Sequence, residues 1–164
     1  MGMLGTVMNS IAVADALGKH GIDARVLSAV EMNKFTEYFT RDTAERYLDE
    51  GKVVLFAAGT GNPYFSTDTV AAQRALEVHA DEVLMAKSGV DGVYTADPNK
   101  DPNARRLETL TYDDALRQDI RVMDQTAMTM CKDNDLNMVV FGMEGEGNVT
   151  RAIRGEKIGT IVSN

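Results

Sequence analysis

The stretch VVLFAAGTGNPYFSTDT, residues 53–69, decides the fold of this chain. Residues 53–58 are apolar throughout, which is typical of a strand covered on both faces of a sheet. The polar remainder contains two glycines and an Asn-Pro pair, and it leads into VAAQRALEVHA, which predicts a helix at about residues 69–80. A buried strand, a loop and a helix in succession form the repeating unit of α/β proteins.

The same alternation continues in both directions from this stretch. Apolar side chains recur at helical spacing over residues 3–18, and Gly21 follows at the position where glycine commonly ends a helix. Thr40, Thr111 and Asp124 are placed to cap further helices. Those helices are predicted at residues 41–50, just after 111, at 125–134 and at 148–154, and strands at 24–30, 82–86, 138–141 and 159–163. The sequence therefore predicts an α/β fold with a largely parallel sheet.

Composition narrows the possible partners. The chain has 164 residues, enough for one domain, and a formal net charge of −8 with scattered lysines and arginines, so we expect no nucleic-acid or anionic-membrane surface. No apolar run approaches the ~20 residues of a membrane span, and a cytoplasmic protein is the default expectation. The single Cys131 excludes an internal disulfide and a cysteine-based zinc site. His20 and His79 lack metal-ligand spacing, so no protein-held metal site is predicted.

The loop at residues 59–69 is the first candidate site. Ligands of α/β sheets bind at the carboxyl ends of strands, and a helix N-terminus offers unpaired N–H groups to a phosphate. Gly59 and Gly61 allow the backbone to approach a ligand closely, while Thr60, Asn62, Ser66 and Thr67 add short hydrogen-bonding side chains. An ordinary capped loop between a strand and a helix explains the same residues, and the sequence leaves both readings open.

VDGVYTADP, residues 90–98, is the second candidate site. Asp91-Gly92 predicts a tight turn, Tyr94 offers a flat ring to a base, and Asp97 before a proline offers a carboxylate to ribose hydroxyls. A solvent-exposed hairpin with turn residues explains the same residues, and the residues alone favour that reading over a nucleotide site. Asp124 is a third candidate, because it is either a helix cap alone or a site carboxylate.

These motifs resemble a known family. VDGVYTADP is similar to the nucleotide-binding signature of the amino-acid kinase superfamily. Together with MGMLGTVMNS, GTGNPYFSTDTVAAQRA, RVMDQTA and RGEKIGTIV, it resembles the bacterial uridylate (UMP) kinases over the whole chain. The resemblance implies a three-layer α/β/α sandwich, transfer of the γ-phosphoryl of ATP to UMP with Mg²⁺ in pyrimidine nucleotide biosynthesis, and a hexamer.

The resemblance also implies roles for individual residues. The UMP-binding residues would be Thr60, Gly61, Asn62, Pro63, Tyr64, Phe65, Ser66 and Thr67, with Thr60 and Asn62 at the uracil and Thr67 at the phosphate. The ATP-binding residues would be Ser88, Tyr94 and Asp97, with Ser88 in a loop one residue longer than in some members. Asp124 matches a catalytic aspartate that organises lysines in the family.

One part of the family pattern is absent from these residues. The family opens on a lysine-bearing strand and loop, a glycine-rich loop and a phosphate-binding arginine, and none of them matches here. Residues 1–164 are therefore expected to form a single, N-terminally truncated amino-acid kinase domain, with little or no kinase activity of its own. The alternative is a non-catalytic nucleotide-binding or storage protein on the same fold.

Overall fold

Helices and strands alternate along the chain in the computed structural model of the protein, which describes residues 1–164. In chain order the elements are α1 (Gly2–Lys19), β1 (Ala24–Ser28), β2 (Glu37–Tyr38), α2 (Arg41–Asp49), β3 (Val53–Ala57), α3 (Thr67–Glu77), β4 (Glu82–Lys87), β5 (Thr109–Thr111), α4 (Tyr112–Arg117), α5 (Gln125–Asp133), β6 (Asn137–Gly142), α6 (Asn148–Ile153) and β7 (Thr160–Ser163). The predicted α/β class is confirmed. The short strands β2 and β5 were not predicted.

The chain divides into two compact units, Met1–Val70 and Ala71–Asn164. Each unit has its own sheet. The expectation of a single domain stays a prediction.

The first unit is built on a three-stranded sheet in the order β2-β1-β3, with every pair parallel. The register pairs Ala24 with Val53 and Ser28 with Ala57, so β1 and β3 end at the same edge of the sheet. Helix α1 packs on these two strands, where its Val7 contacts Ala57 and the residue that follows it. The carboxyl end of β3 is therefore fixed from both the sheet and the helix.

Helix α1 confirms the predicted helix but buries little of its apolar surface. Val7 is its one buried residue. The large apolar side chains exposed on α1 are Met3, Leu4, Met8, Ile11 and Val13. The unit therefore presents an exposed apolar helix face.

The second unit contains a four-stranded sheet in the order β4-β6-β7-β5. Strand β4 pairs in parallel with β6, and β5 pairs in parallel with β7, but β6 and β7 are antiparallel. Helices α4 and α5 contribute the buried Tyr112, Met128 and Cys131 to a core shared with Met138 and Val140 of β6. Most strand pairs of the chain are thus parallel, as predicted.

Polar caps fix the starts of several helices. The hydroxyls of Thr40 and Thr111 accept from the backbone N–H groups of Thr43 and Asp114, and the carboxylate of Asp124 accepts from that of Ala127. All three caps were predicted from the sequence. Helix α3 starts at Thr67, two residues before its predicted start, because the Ser66 hydroxyl accepts from the Thr69 N–H at 3.0 Å. No helix of the chain is long and apolar enough to cross a membrane.

Candidate functional site

The 59–67 loop leaves the carboxyl end of β3 through two residues with positive φ. Ala58 has a φ of 65° and Gly59 a φ of 63°. Ala58 is fully buried, and its N–H donates to the hydroxyl of Thr6 on α1 at 2.9 Å. The chain is therefore turned sharply away from the strand at a point that helix and sheet both hold.

Gly61 brings the loop against the end of β1. Its φ is 77°, and a Cβ placed on it would lie 2.9 Å from the carbonyl oxygen of Ala29. Its N–H also donates to the Ala58 carbonyl at 3.0 Å. Only glycine combines this backbone conformation with this close approach. The sequence predicted that Gly61 lets the backbone approach a ligand, whereas the close approach in the structure is to the backbone of Ala29.

Thr60 and Asn62 bond to each other within the loop. The Thr60 hydroxyl accepts from the Asn62 N–H at 3.1 Å, and the Asn62 side-chain amide donates to the Thr60 carbonyl at 3.4 Å. Thr60 is half-buried and Asn62 is exposed. Both residues predicted to contact uracil thus lie on one small, locally ordered turn.

Pro63, Tyr64 and Phe65 form the exposed part of the loop. Tyr64 has a φ of 70° and a fully exposed side chain, and Phe65 is 56% exposed. Two aromatic rings in water on one short loop offer flat surfaces to a ligand.

Thr67 opens helix α3 and is exposed. Ser66 precedes it, and its hydroxyl is engaged with Thr69 as described above. A helix N-terminus carries a partial positive charge, which favours an anion beside it. The two hydroxyl residues therefore have different roles. Ser66 caps helix α3, and Thr67, the first residue of that helix, is exposed to solvent.

The 88–98 segment in the second unit begins just after β4. The Ser88 hydroxyl donates to Oε1 of Glu144 at 2.5 Å, and the Gly89 N–H donates to the same oxygen at 2.9 Å. These two hydrogen bonds lower the pKa of the Glu144 carboxyl. Glu144 was not predicted as a partner, since it lies far away in sequence in an exposed turn.

Tyr94 is tied to Asp91. Its hydroxyl donates to Oδ1 of Asp91 at 2.7 Å, and Arg106 donates to Oδ2 of the same carboxylate at 3.0 Å. The hydrogen bond to the Asp91 carboxylate is the main cause that raises the pKa of Tyr94. The predicted hairpin exists here as a short antiparallel ribbon, because Leu107 N–H donates to the Val93 carbonyl and Thr95 N–H to the Arg105 carbonyl.

Thr160 anchors this ribbon, and its role was missed from the sequence. Its hydroxyl accepts from the Val93 N–H at 2.9 Å and donates to the Leu107 carbonyl at 2.5 Å, while the residue is fully buried. One hydroxyl on β7 therefore satisfies both strands of the ribbon.

Asp97 closes a tight turn after the ribbon. Its Oδ1 accepts from the Asn99 N–H at 3.0 Å, and the Lys100 ammonium lies 3.4 Å from Oδ2. The Asn99 backbone bond is the largest cause that holds the pKa of Asp97 below its usual value. The carboxylate is therefore ionised at neutral pH and is an acceptor only.

A cavity of about 340 Å³ lies beside the 88–98 segment. Tyr94 and Asp97 line it on one side and residues 118–122 on another, with Lys87 and Val140 between them. The structure thus brings Tyr94 and Asp97 to one cavity but leaves Ser88 outside its lining. The 118–122 wall could not be recognised from the sequence, because it belongs to no helix or strand.

Asp124 follows this wall closely along the chain. It is half-buried and caps α5, with Oδ1 accepting from the Ala127 N–H at 3.0 Å. Nowhere in residues 1–164 do three or more His, Cys, Asp or Glu side chains come together as a metal site would require.

Comparison with known proteins gives a consistent set of relatives. The model of the amino acid kinase family matches residues 1–142. The uridylate kinase of Arthrobacter sp. (strain FB24) is 69% identical over 163 residues, which is 99% of this chain and 66% of that protein. The uridylate kinase of Clavibacter michiganensis subsp. michiganensis is 61% identical, over 100% of this chain and 69% of that protein. The chain thus spans about two thirds of the length of these curated relatives.

Solved structures agree with the sequence relatives. The UMP kinase of Bacillus anthracis superposes with a TM-score of 0.95 at 37% identity, over 99% of this chain and 67% of that one. The uridylate kinase of Archaeoglobus fulgidus gives a TM-score of 0.74 at 25% identity, over 99% of this chain and 70% of that one. The backbone described above is therefore the fold of these kinases.

Proposed function

The chain belongs to the amino acid kinase family, and from this premise we propose that it is the nucleotide-binding part of a UMP kinase. The reaction transfers the γ-phosphoryl of ATP to UMP and gives UDP and ADP, a step of pyrimidine nucleotide biosynthesis. One observation carries the proposal, namely the unbroken similarity of 99% of the chain to uridylate kinases. We place the protein in the cytoplasm, where both nucleotides are available.

The acceptor UMP is assigned to the 59–67 loop. Its residues are Thr60, Gly61, Asn62, Pro63, Tyr64, Phe65, Ser66 and Thr67. The turn formed by Thr60 and Asn62 offers amide and hydroxyl groups of the kind that a uracil edge requires. Thr67 at the start of α3 suits the phosphate, because N–H groups and the helix dipole favour an anion there.

The donor ATP is assigned to the cavity beside the 88–98 segment. Its volume of about 340 Å³ lies within the range of small-molecule sites. Tyr94 presents a ring to the base, and the ionised Asp97 accepts hydrogen bonds from ribose hydroxyls. Ser88 is retained as a third ATP-binding residue, although Glu144 already engages its hydroxyl.

Magnesium is proposed to enter with ATP rather than to reside in the protein. When bound, it supplies positive charge that neutralises the transferring phosphoryl group. We assign Asp124 as the catalytic residue, and its position as the N-cap of α5 fixes its carboxylate. Its role is to orient cations near the phosphates, and the bond from Ala127 holds its side chain in place.

We propose that this 164-residue chain by itself has little or no kinase activity. Phosphoryl transfer depends on positioning and on cations that neutralise the developing charge. The 59–67 loop contains no lysine or arginine, and Lys87 and Arg121 are the cations that line the donor cavity. We therefore expect this chain to bind nucleotides but to catalyse phosphoryl transfer poorly.

The active assembly is proposed to be a homo-oligomer, a hexamer by resemblance. Support comes from the apolar face of α1, whose side chains Leu4, Met8 and Ile11 are exposed. Sedimentation of the purified chain tests this proposal, and a monomer at all concentrations would contradict it.

Calorimetry on the purified chain tests the assignment of nucleotides. We expect UMP to bind more tightly than uridine, and Thr67→Val to reduce the affinity for UMP while leaving that for uridine nearly unchanged. A coupled assay with ATP and UMP measures turnover, which we expect to be low. Binding of ATP without any binding of UMP would favour the non-catalytic alternative, and near-normal turnover would overturn the low-activity proposal.

A further inference from the structure

Lys87 is a partly buried cation that lines the donor cavity, and the proposed function assigns it no individual role. It is the last residue of β4 and lines the cavity. Its ammonium donates to the carbonyl oxygen of Val122 at 2.6 Å. That bond spans thirty-five positions of sequence and joins the sheet to the 118–122 wall.

The Lys87 ammonium bonds to a backbone carbonyl and not to a carboxylate. No carboxylate forms an ion pair with Lys87, although Asp97 and Asp119 also line the cavity. Asp97 is instead directed to its own turn, through Asn99 and Lys100. A bond from an ammonium to a carbonyl is charge-assisted and short, and in a partly buried site it contributes more than a neutral bond does.

Val122, which accepts this bond, lines the cavity and lies two positions before Asp124. Its side chain is 1% exposed and belongs to the core of the second unit. The residues around it, from 118 to 124, belong to no helix or strand, so their position depends on individual contacts. Asp124, two positions later, starts α5.

We infer that Lys87 is a positioning residue of the donor-nucleotide site, acting through the backbone of Val122. It holds the 118–122 wall at the distance from Tyr94 and Asp97 that the cavity requires, and it fixes the approach of the chain to Asp124. This inference rests on the proposed assignment of ATP to the cavity.

The test compares three variants by calorimetric titration with MgATP. Lys87→Met removes the donor and the charge, and we expect the dissociation constant for ATP to rise about tenfold. Lys87→Arg keeps a charged donor, and we expect it to stay within about threefold of the parent chain. Arg121→Met is the matched control, because it removes a cation from the same cavity without removing a bond to the wall.

Hydrogen exchange supplies a readout that does not depend on nucleotide. Lys87→Met should speed amide exchange in residues 118–124, whereas Arg121→Met should not. If Lys87→Met does not fold, Lys87→Gln replaces it in the test. Because glutamine is a shorter and uncharged donor, we expect its loss of ATP affinity to lie between those of Lys87→Arg and Lys87→Met.

The outcomes separate this inference from the proposed function. Absence of ATP binding by the parent chain would overturn the assignment of the cavity, whatever the variants do in exchange. Parent-like ATP affinity and exchange in Lys87→Met would overturn the role of Lys87 alone. Equal losses of affinity in Lys87→Met and Arg121→Met would also overturn it, since they would show that charge rather than the bond to Val122 matters.

Discussion

The 59–67 loop and the 88–98 segment are both short, polar and glycine-containing, yet they are held in different ways. Beyond its start, which Thr6 and Ala29 hold, the loop is shaped by its own backbone, through positive φ angles at its glycines and Tyr64 and bonds between near neighbours. The segment is held by side chains from distant parts of its unit, namely Glu144 and Thr160. The shape of the loop is set mainly by local backbone conformation, whereas that of the segment depends more on distant side chains that the fold of the unit brings to it.

This difference predicts where substitutions act. A change of backbone freedom should damage the 59–67 loop most, and a change in a remote partner should damage the 88–98 segment most.

The largest effect is expected for Gly61→Ala. The added methyl group would meet a backbone oxygen at 2.9 Å and would also sit at a φ of 77°. We expect the free energy of unfolding to fall by roughly 3 kcal/mol, about 1 of it from the positive φ and the rest from the clash. Urea unfolding followed by circular dichroism measures it.

Two other glycines are matched controls for Gly61. Gly51 lies in the same unit at a φ of 75°, and Gly89 lies in the 88–98 segment at a φ of 78°, and a methyl group on either meets nothing within 4 Å. Alanine at these positions should cost only about 1 kcal/mol, the cost of the positive φ. Equal losses for all three variants would remove the argument that the 59–67 loop depends on close backbone approach.

The next largest effect is expected for Thr160→Val. The valine keeps the shape of the side chain but leaves the Val93 N–H and the Leu107 carbonyl without the buried hydroxyl. A buried polar group left unpaired costs roughly 1–3 kcal/mol, so the unfolding free energy should fall by about 2 kcal/mol. Amide exchange at Val93 should rise as well, measured by NMR.

Thr109→Val is the control for Thr160→Val. Thr109 lies on neighbouring β5 and is exposed. We expect a change near zero, because valine is well tolerated on an exposed strand position. A loss as large as that of Thr160→Val would mean that the sheet, rather than the anchored ribbon, responds to the substitution.

The sequence predicted much of the fold because most elements carry their own signals. The helical spacing of α1, the apolar β3 and the threonine and aspartate caps are local, and all were found. The short strand β2 has both residues exposed, so it lacks any apolar pattern. The antiparallel pairing of β6 with β7 was also missed, because strand direction depends on the path of the connecting chain.

The same contrast separates the candidate sites. The sequence pointed to glycine at position 61 for close approach to a ligand, but it did not predict the close approach to Ala29 that the structure shows. The partners of Ser88 and Val93 were not readable, because Glu144 and Thr160 are brought to them only by the fold. The binding roles of residues 60–67, Ser88, Tyr94, Asp97 and Asp124 stay predictions.

A smaller effect is expected for Asp91→Ala. It removes the ion pair with Arg106, whose side chain is 38% exposed against 57% for Asp91. Exposed pairs contribute about 0–1 kcal/mol, so the stability should change by less than 1 kcal/mol. The pKa of Tyr94 should fall toward its ordinary value of 10.0, because the carboxylate that raises it is gone. Ultraviolet titration, with Tyr94→Phe to identify the signal, measures the shift.

The sign for Tyr94 follows from the raised pKa. The bond to Asp91 contributes stability at pH values below the unfolded pKa of Tyr94, and the contribution is lost as pH rises through the folded value. When the pH is raised from neutral to strongly alkaline, the unfolding free energy of Asp91→Ala should therefore fall by less than that of the parent chain. A parent-like titration of Tyr94 in Asp91→Ala would contradict the assigned hydrogen bond.

The smallest effect concerns the pH dependence of the Asp97 turn. Because its folded pKa lies below the ordinary 3.8 of an aspartate, the turn is fully formed above that pH and loosens as pH falls through the lower folded value. The Asn99 amide resonance should titrate with a midpoint below 3.8. Asp97→Asn keeps an acceptor oxygen but no titrating group, so its Asn99 resonance should lose this transition. A midpoint at or above 3.8 in the parent chain would show that the backbone bond from Asn99 does not stabilise the carboxylate, and Asp97 would then be no better prepared than any exposed aspartate to accept from a ribose.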